Sequence, residues 1–114
     1  MSTTGVTVIV PGFNVADYAE EALDSLRAQT HRHWTAVLVD DASTDDTRHL
    51  FADAAAADPR FQVVRHETQR GLGAARNTGL SLVETTYTAF LDADDLLRPD
   101  ALTRLSDTLD RTGS

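Results

Sequence analysis

The chain has 114 residues, 41% of them hydrophobic and 25% charged, which is ordinary globular composition and enough for one domain with a core. Its net charge of −8 disfavours nonspecific nucleic-acid binding, and the absence of cysteine excludes disulfides and thiolate metal sites. All 10 basic residues are arginine, so chemistry that places a lysine against phosphate, as in a Walker P-loop, a receiver domain or a haloacid-dehalogenase phosphatase, is set aside.

The first apolar run, Val6–Val10, reads as a strand covered on both faces, and Pro11–Asn14 follow at its end. Ala19, Ala22, Leu23 and Leu26 then recur at helical spacing and define one face of a helix. His31 and His33 flank Arg32 in a turn, and Trp34 is expected to pack where the second strand, Ala36–Val39, begins. Asp40 and Asp41 close that strand. Thr44 is a candidate N-cap for a second helix carrying Leu50, Phe51 and Ala54, with Asp45 and Asp46 in its first turn. The Asp41–Asp46 stretch lacks the glycine and closing glutamate of a calcium loop.

A third strand, Phe61–Val64, is followed by His66, a glycine-containing loop with Gly71 and Gly73, and a shorter helix over Ala74–Leu82. The fourth run, Tyr87–Leu91, leads into Asp92-Ala93-Asp94-Asp95. Pro99 then opens a helix whose stripe is Leu102, Leu105 and Leu109. Ala54–Ala57 reads as a helix end and Thr112–Ser114 as a tail. The order β-α-β-α-β-α-β-α predicts an α/β fold with a Rossmann-like parallel sheet, and no apolar run approaches the length of a membrane span.

Parallel sheets bind ligands beyond the carboxyl ends of their strands. Pro11–Asn14, Asp40–Asp41 and Asp92–Asp95 all fall there. Two carboxylates one residue apart at a strand end repel each other unless a cation arrives. They suit a hard divalent ion that keeps its waters and takes phosphate oxygens as its other ligands.

The ordered segments Val8-Ile9-Val10-Pro11-Gly12-Phe13-Asn14, Leu38-Val39-Asp40-Asp41-Ala42-Ser43-Thr44-Asp45, Gly71-Leu72-Gly73-Ala74-Ala75-Arg76-Asn77-Thr78-Gly79 and Phe90-Leu91-Asp92-Ala93-Asp94-Asp95, with Pro99-Asp100, resemble the start of inverting family-2 glycosyltransferases. The resemblance covers about Val6 to Leu109. It implies the N-terminal half of a GT-A fold that binds a nucleotide diphosphate sugar, a UDP-sugar by preference, with Mg²⁺ or Mn²⁺. Pro11, Phe13, Asn14, Asp41, Arg76, Asp92 and Asp94 are the implied donor-binding residues, and Asp94 with Asp92 the implied metal site.

Phe13 stands where the family has an aromatic plate for the nucleobase; the alternative is a core phenylalanine. Asn14 caps the following helix, braces the loop, or touches the nucleotide. Asp41 corresponds to the acid that accepts the uracil N3–H, while Asp40 anchors the loop backbone. Arg76 reaches the base edge or the diphosphate, or pairs with an aspartate. Asn77 is expected to satisfy loop carbonyls. Asp92 faces the ribose or a metal-bound water, Asp94 ligates the metal directly, and Asp95 supports them or caps the next helix. Departures from the family pattern are Gly12 in place of a larger residue, Phe13 for tyrosine, Ala42 for glycine and Gln69 for asparagine.

The general base of inverting transfer lies downstream of the DxD in this family, so no catalytic residue is assigned within the chain. The chain is therefore expected to be a single, truncated donor-binding part, inactive alone, with an exposed sheet edge prone to self-association. The implied partners are the nucleotide-sugar donor and a glycan, lipid or polymer acceptor. The implied location is cytoplasmic, or the inner face of the membrane in a full-length protein. The competing function is a non-catalytic nucleotide-binding or scaffolding domain.

Overall fold

The computed structural model describes residues 5–29, 33–83, 85 and 87–92. Within them the chain runs β1 (Val6–Gly12), α1 (Ala16–Arg27), β2 (Trp34–Asp40), α2 (Thr47–Ala57), β3 (Phe61–Arg65), α3 (Leu72–Leu80) and β4 (Tyr87–Phe90). The four strands form one sheet in the order β3-β2-β1-β4, and every pairing is parallel. The expected α/β architecture is observed.

Alternation along the strands separates two apolar layers. Val6, Val8 and Val10 of β1 pack with Ala36 and Leu38 of β2 and Phe61 of β3 under Ala19, Ala22, Leu23 and Leu26 of α1 and Phe51 and Ala54 of α2. On the opposite face Val37, Val39 and Val64 meet Ala75 of α3. β1 and most of β2 are buried throughout, which is why they read as unbroken apolar runs rather than alternating ones. Trp34 lies in the core at the start of β2, edge-on to Phe61 with ring centroids 5.4 Å apart, and Arg60 stacks 3.9 Å over its ring. Its expected packing at a strand start is observed.

Two helix starts differ from expectation. Thr44 does not cap α2, which begins at Thr47. The Thr44 N–H donates instead to Asn14 Oδ1 at 2.8 Å, and the Asp45 N–H shares that oxygen at 3.3 Å, so the segment is held as a loop. Asp45 and Asp46 accordingly precede the helix, and Asp45 Oδ1 accepts the Thr47 N–H at 2.9 Å. Helix α3 starts two residues early, at Leu72, and takes in Gly73, because Gly71 makes the chain reversal with φ of +96°. The helix expected after Pro99 lies outside the described residues, as does the C-terminal tail.

Strand order fixes where a ligand can sit. The chain steps outward from β1 to β2 to β3, then crosses back to place β4 on the other side of β1. That reversal opens a crevice at the carboxyl ends of β1 and β4, the position at which open parallel sheets bind ligands.

Candidate functional site

Because all four strands point the same way, the residues after each of them share one edge of the sheet. There Pro11, Gly12, Phe13 and Val15 from the β1 end, Asp41 after β2, Gln69, Gly71, Leu72 and Ala75 from the entry to α3, and Asp92 after β4 line a cleft of about 320 Å³. Four of the seven donor-binding residues expected from sequence, Pro11, Phe13, Asp41 and Asp92, line this cleft.

Phe13 is 39% exposed on the cleft wall and is not a core residue. Asn14 does not line the cleft. Its backbone has φ of +52°, and besides the contacts already given, its N–H donates to Ser43 Oγ at 3.0 Å. Asn14 thus ties the β1 end to the β2 end, a brace that sets the loop beneath Phe13. Asp45 Oδ2 and Thr47 Oγ1 complete the tie by accepting the N–H groups of Ala16 and Val15, at 3.1 and 2.9 Å, at the start of α1.

Asp40 is buried, accepts the Ser43 N–H on Oδ1 at 2.9 Å and pairs through Oδ2 with Arg65 Nε at 3.3 Å, anchoring the loop as expected. Asp41 is also buried but faces the cleft. Its Oδ1 accepts the Arg70 N–H at 2.9 Å and meets His66 Nδ1 at 2.7 Å, while Oδ2 accepts the Gly71 N–H at 2.9 Å. Burial works against its ionisation, yet the Arg70 N–H, His66 and the Gly71 N–H outweigh it and hold the carboxyl below its ordinary range. Asp41 is therefore a fixed carboxylate at neutral pH, an acceptor set into the cleft wall beside Phe13, Leu72 and Ala75.

Arg76, on α3, brings Nη2 to 3.2 Å from Asp92 Oδ1, with its guanidinium 5.7 Å from the Phe90 ring. Of its expected roles, the structure displays the pairing with an aspartate, Asp92, the first acid of the Asp92-Ala93-Asp94 run. Asp92 Oδ2 has no partner among the described residues, and Asp94 and Asp95 lie outside them. Asn77 is exposed on α3, and its side chain bonds no loop carbonyl among the described residues; a mid-helix position turned to solvent does not reach the loop.

His66 was not assigned a role from sequence. It is buried, with Nδ1 at Asp41 and Nε2 at 2.8 Å from Thr78 Oγ1 on α3. The signal available was its place directly after β3, on the same edge as the other strand ends. His33, by contrast, is exposed, as a turn residue should be.

Among the described residues no three His, Cys, Asp or Glu converge on a point that would hold a metal ion. Carboxylate oxygens are the donors a hard divalent cation takes alongside phosphate and water. Asp92 offers a half-exposed carboxylate oxygen at the cleft mouth, directly ahead of the chain leading to Asp94.

A model of Glycosyl transferase family 2 matches residues 7–114. Over 97 residues the chain is 41% identical to a putative teichuronic acid biosynthesis glycosyltransferase, TuaG, of Bacillus subtilis, covering 85% of this chain and 38% of that protein. The crystal structure of S. aureus TarS 1-349 in complex with UDP-GlcNAc superposes with a TM-score of 0.89 at 31% identity, covering 96% of this chain and 32% of that one. The mannosyltransferase PcManGT from Pyrobaculum calidifontis, in complex with GDP-Man and Mn²⁺, gives a TM-score of 0.81 at 32% identity over 96% of this chain and 32% of that one. The chain thus spans less than two-fifths of the length of these relatives. No helix among the described residues is long and apolar enough to cross a membrane.

Proposed function

Because this chain belongs to glycosyl transferase family 2, we propose that it is the donor-binding part of an inverting glycosyltransferase, holding a UDP-sugar together with Mg²⁺ or Mn²⁺. The observation that carries this reading is the convergence of Pro11, Phe13, Asp41 and Asp92 on one cleft at the reversal of strand order. Each element of a nucleoside diphosphate has a counterpart there. The exposed Phe13 ring offers a face for the base, worth about 1–3 kcal/mol in stacking. Asp41 offers an acceptor for a ring N–H. Asp92 and Asp94 hold the cation, which neutralises the diphosphate and stabilises it as a leaving group when bound.

Arg76 keeps Asp92 in place through Oδ1 and leaves the other oxygen for the cation or its waters. The cleft residues leave the site for the acceptor, a glycan, lipid or polymer, and the general base that deprotonates its hydroxyl unassigned, and a cytoplasmic location belongs to the same reading. The bound UDP-GlcNAc and GDP-Man of the two solved relatives support the ligand class and the second relative's Mn²⁺ supports the metal.

Calorimetric titration with UDP, with and without Mn²⁺, tests the proposal. Two protein carboxylates alone leave most of the metal's coordination to water, so each ligand by itself should bind weakly and the pair cooperatively. Asp94→Ala should abolish the cooperativity. UDP affinity that is indifferent to Mn²⁺ in the unmodified chain, or metal dependence untouched by Asp94→Ala, would remove the metal assignment; no UDP binding under either condition would remove the donor-site reading.

A further inference from the structure

Beside the cleft, His66 and Thr78 form a hydrogen-bonded chain with Asp41 that the donor-binding reading does not use. His66 is only 6% exposed. An ionised carboxylate only accepts, so the 2.7 Å contact between His66 Nδ1 and Asp41 Oδ1 places a hydrogen on Nδ1. In the neutral ring Nε2 is then an acceptor, and the Thr78 hydroxyl 2.8 Å away donates to it.

A carboxylate has about four lone-pair directions. On Asp41, His66 and the Arg70 N–H occupy two on Oδ1, and the Gly71 N–H occupies one on Oδ2. One acceptor direction on Oδ2 remains. The rotation of a carboxylate about its last torsion is intrinsically soft, so whatever holds it must come from outside the side chain. Arg70 and Gly71 belong to the loop entering α3, where Glu67, Thr68, Gln69 and Arg70 are all exposed. His66 instead sits at the end of β3, and Thr78 within α3, so this contact ties Asp41 to two packed elements rather than to the loop.

We propose that His66, steadied by Thr78, is a positioning residue that fixes the rotation of the Asp41 carboxylate, so that its one uncommitted acceptor meets the ring N–H of the bound nucleobase. The inference rests on the reading of Asp41 as a base contact. It adds that discrimination between bases depends on a residue that does not touch the ligand. Uracil presents N3–H to such an acceptor, whereas cytosine presents a bare N3 lone pair and is repelled.

Titrations of UDP and CDP in the presence of Mn²⁺, on the unmodified chain and its variants, separate the possibilities. The unmodified chain should prefer UDP. His66→Leu should cut the UDP-to-CDP affinity ratio by about tenfold, the worth of one hydrogen bond. His66→Asn, whose amide nitrogen takes the place of Nδ1, should restore most of the preference, and Thr78→Val should give a partial loss. Long-range ¹H–¹⁵N spectra of the unmodified chain should show a hydrogen on His66 Nδ1, a readout that does not depend on any variant folding. Absence of UDP preference in the unmodified chain overturns the Asp41 reading and this proposal with it. Preference retained in His66→Leu, or a His66 ring without hydrogen on Nδ1, overturns the role of His66 and leaves Asp41 standing.

Discussion

Asp41 is buried with three donors aimed at its two oxygens, an arrangement that requires charge on the carboxylate. Protonation puts a hydrogen where a donor already points, and Asp41→Asn does the same with an amide. That variant should lose about 1–3 kcal/mol of stability, the cost of leaving buried donors unsatisfied, as read by urea denaturation at neutral pH. The pH dependence has a definite sign. The folded carboxyl titrates below its unfolded value, so its contribution is fully present above the ordinary aspartate range near pH 4 and is lost as pH falls through the lower folded value. Asp45, with burial opposed by donors from Thr47 and Ala16, and Asp58, paired with Arg60, shift the same way and steepen the loss. Acid denaturation of the unmodified chain should therefore be cooperative below pH 4 and shallower in Asp41→Asn; identical acid profiles would show that Asp41 is not held as a carboxylate. The place of Asp41 at a strand end was legible in the sequence, because an acid directly after a buried run is visible. Its partners were not: His66 lies 25 residues away and joins only through the pairing of β2 with β3.

At the scale of elements, two small residues show what the sequence pattern conceals. Ala42 stands where the family has glycine, and its backbone is left-handed, with φ of +63°. A Cβ in that conformation costs about 1–2 kcal/mol, whereas glycine there adds only about 0.4–1 kcal/mol of unfolded-state entropy. Strain wins, so Ala42→Gly should raise stability by about 0.5–1 kcal/mol in thermal or urea unfolding; a fall would show that the turn relaxes around alanine. Gly79 gives the opposite case. A Cβ added there runs into the side chain of Ile9, which is completely buried. Overpacking costs about 1–3 kcal/mol, more than the ~1 kcal/mol of helix propensity that alanine brings, so Gly79→Ala should destabilise. The α1 stripe and the apolar β1 and β2 runs were readable because periodicity and burial coincide. The starts of α2 and α3 were not, since each is set by a contact from elsewhere or by one left-handed residue: Asn14 Oδ1 holds Thr44 in the loop, and Gly71 turns the chain ahead of Leu72.

For the whole molecule, parallel order was legible from four apolar runs separated by helical stripes, but the arrangement β3-β2-β1-β4 needed the structure, because nothing local states which side of β1 the last strand takes. That arrangement brings the residues of the proposed donor site together and also bears on whether the chain can act alone. Inverting transfer requires a free carboxylate of suitable basicity facing the acceptor hydroxyl. Among the described acids at the cleft, Asp41 is committed to three donors and held below the ordinary carboxyl range, and Asp92 is paired with Arg76. Asp41 is thereby unsuited to take a proton, and Asp92 belongs to the metal side of the proposed donor site. Base catalysis and acceptor positioning together contribute many orders of magnitude, so the 114-residue chain should bind UDP with Mn²⁺ yet transfer sugar at background rate in a radiolabelled-donor assay. Among the described residues, β4 pairs only with β1 and leaves its outer edge open. An open edge of this kind seeks a further strand, and concentration-dependent self-association of the chain in sedimentation velocity is the expected companion of inactivity. Robust sugar transfer by a monomer of this chain would overturn both expectations at once, since it would require a base and an acceptor site within these residues.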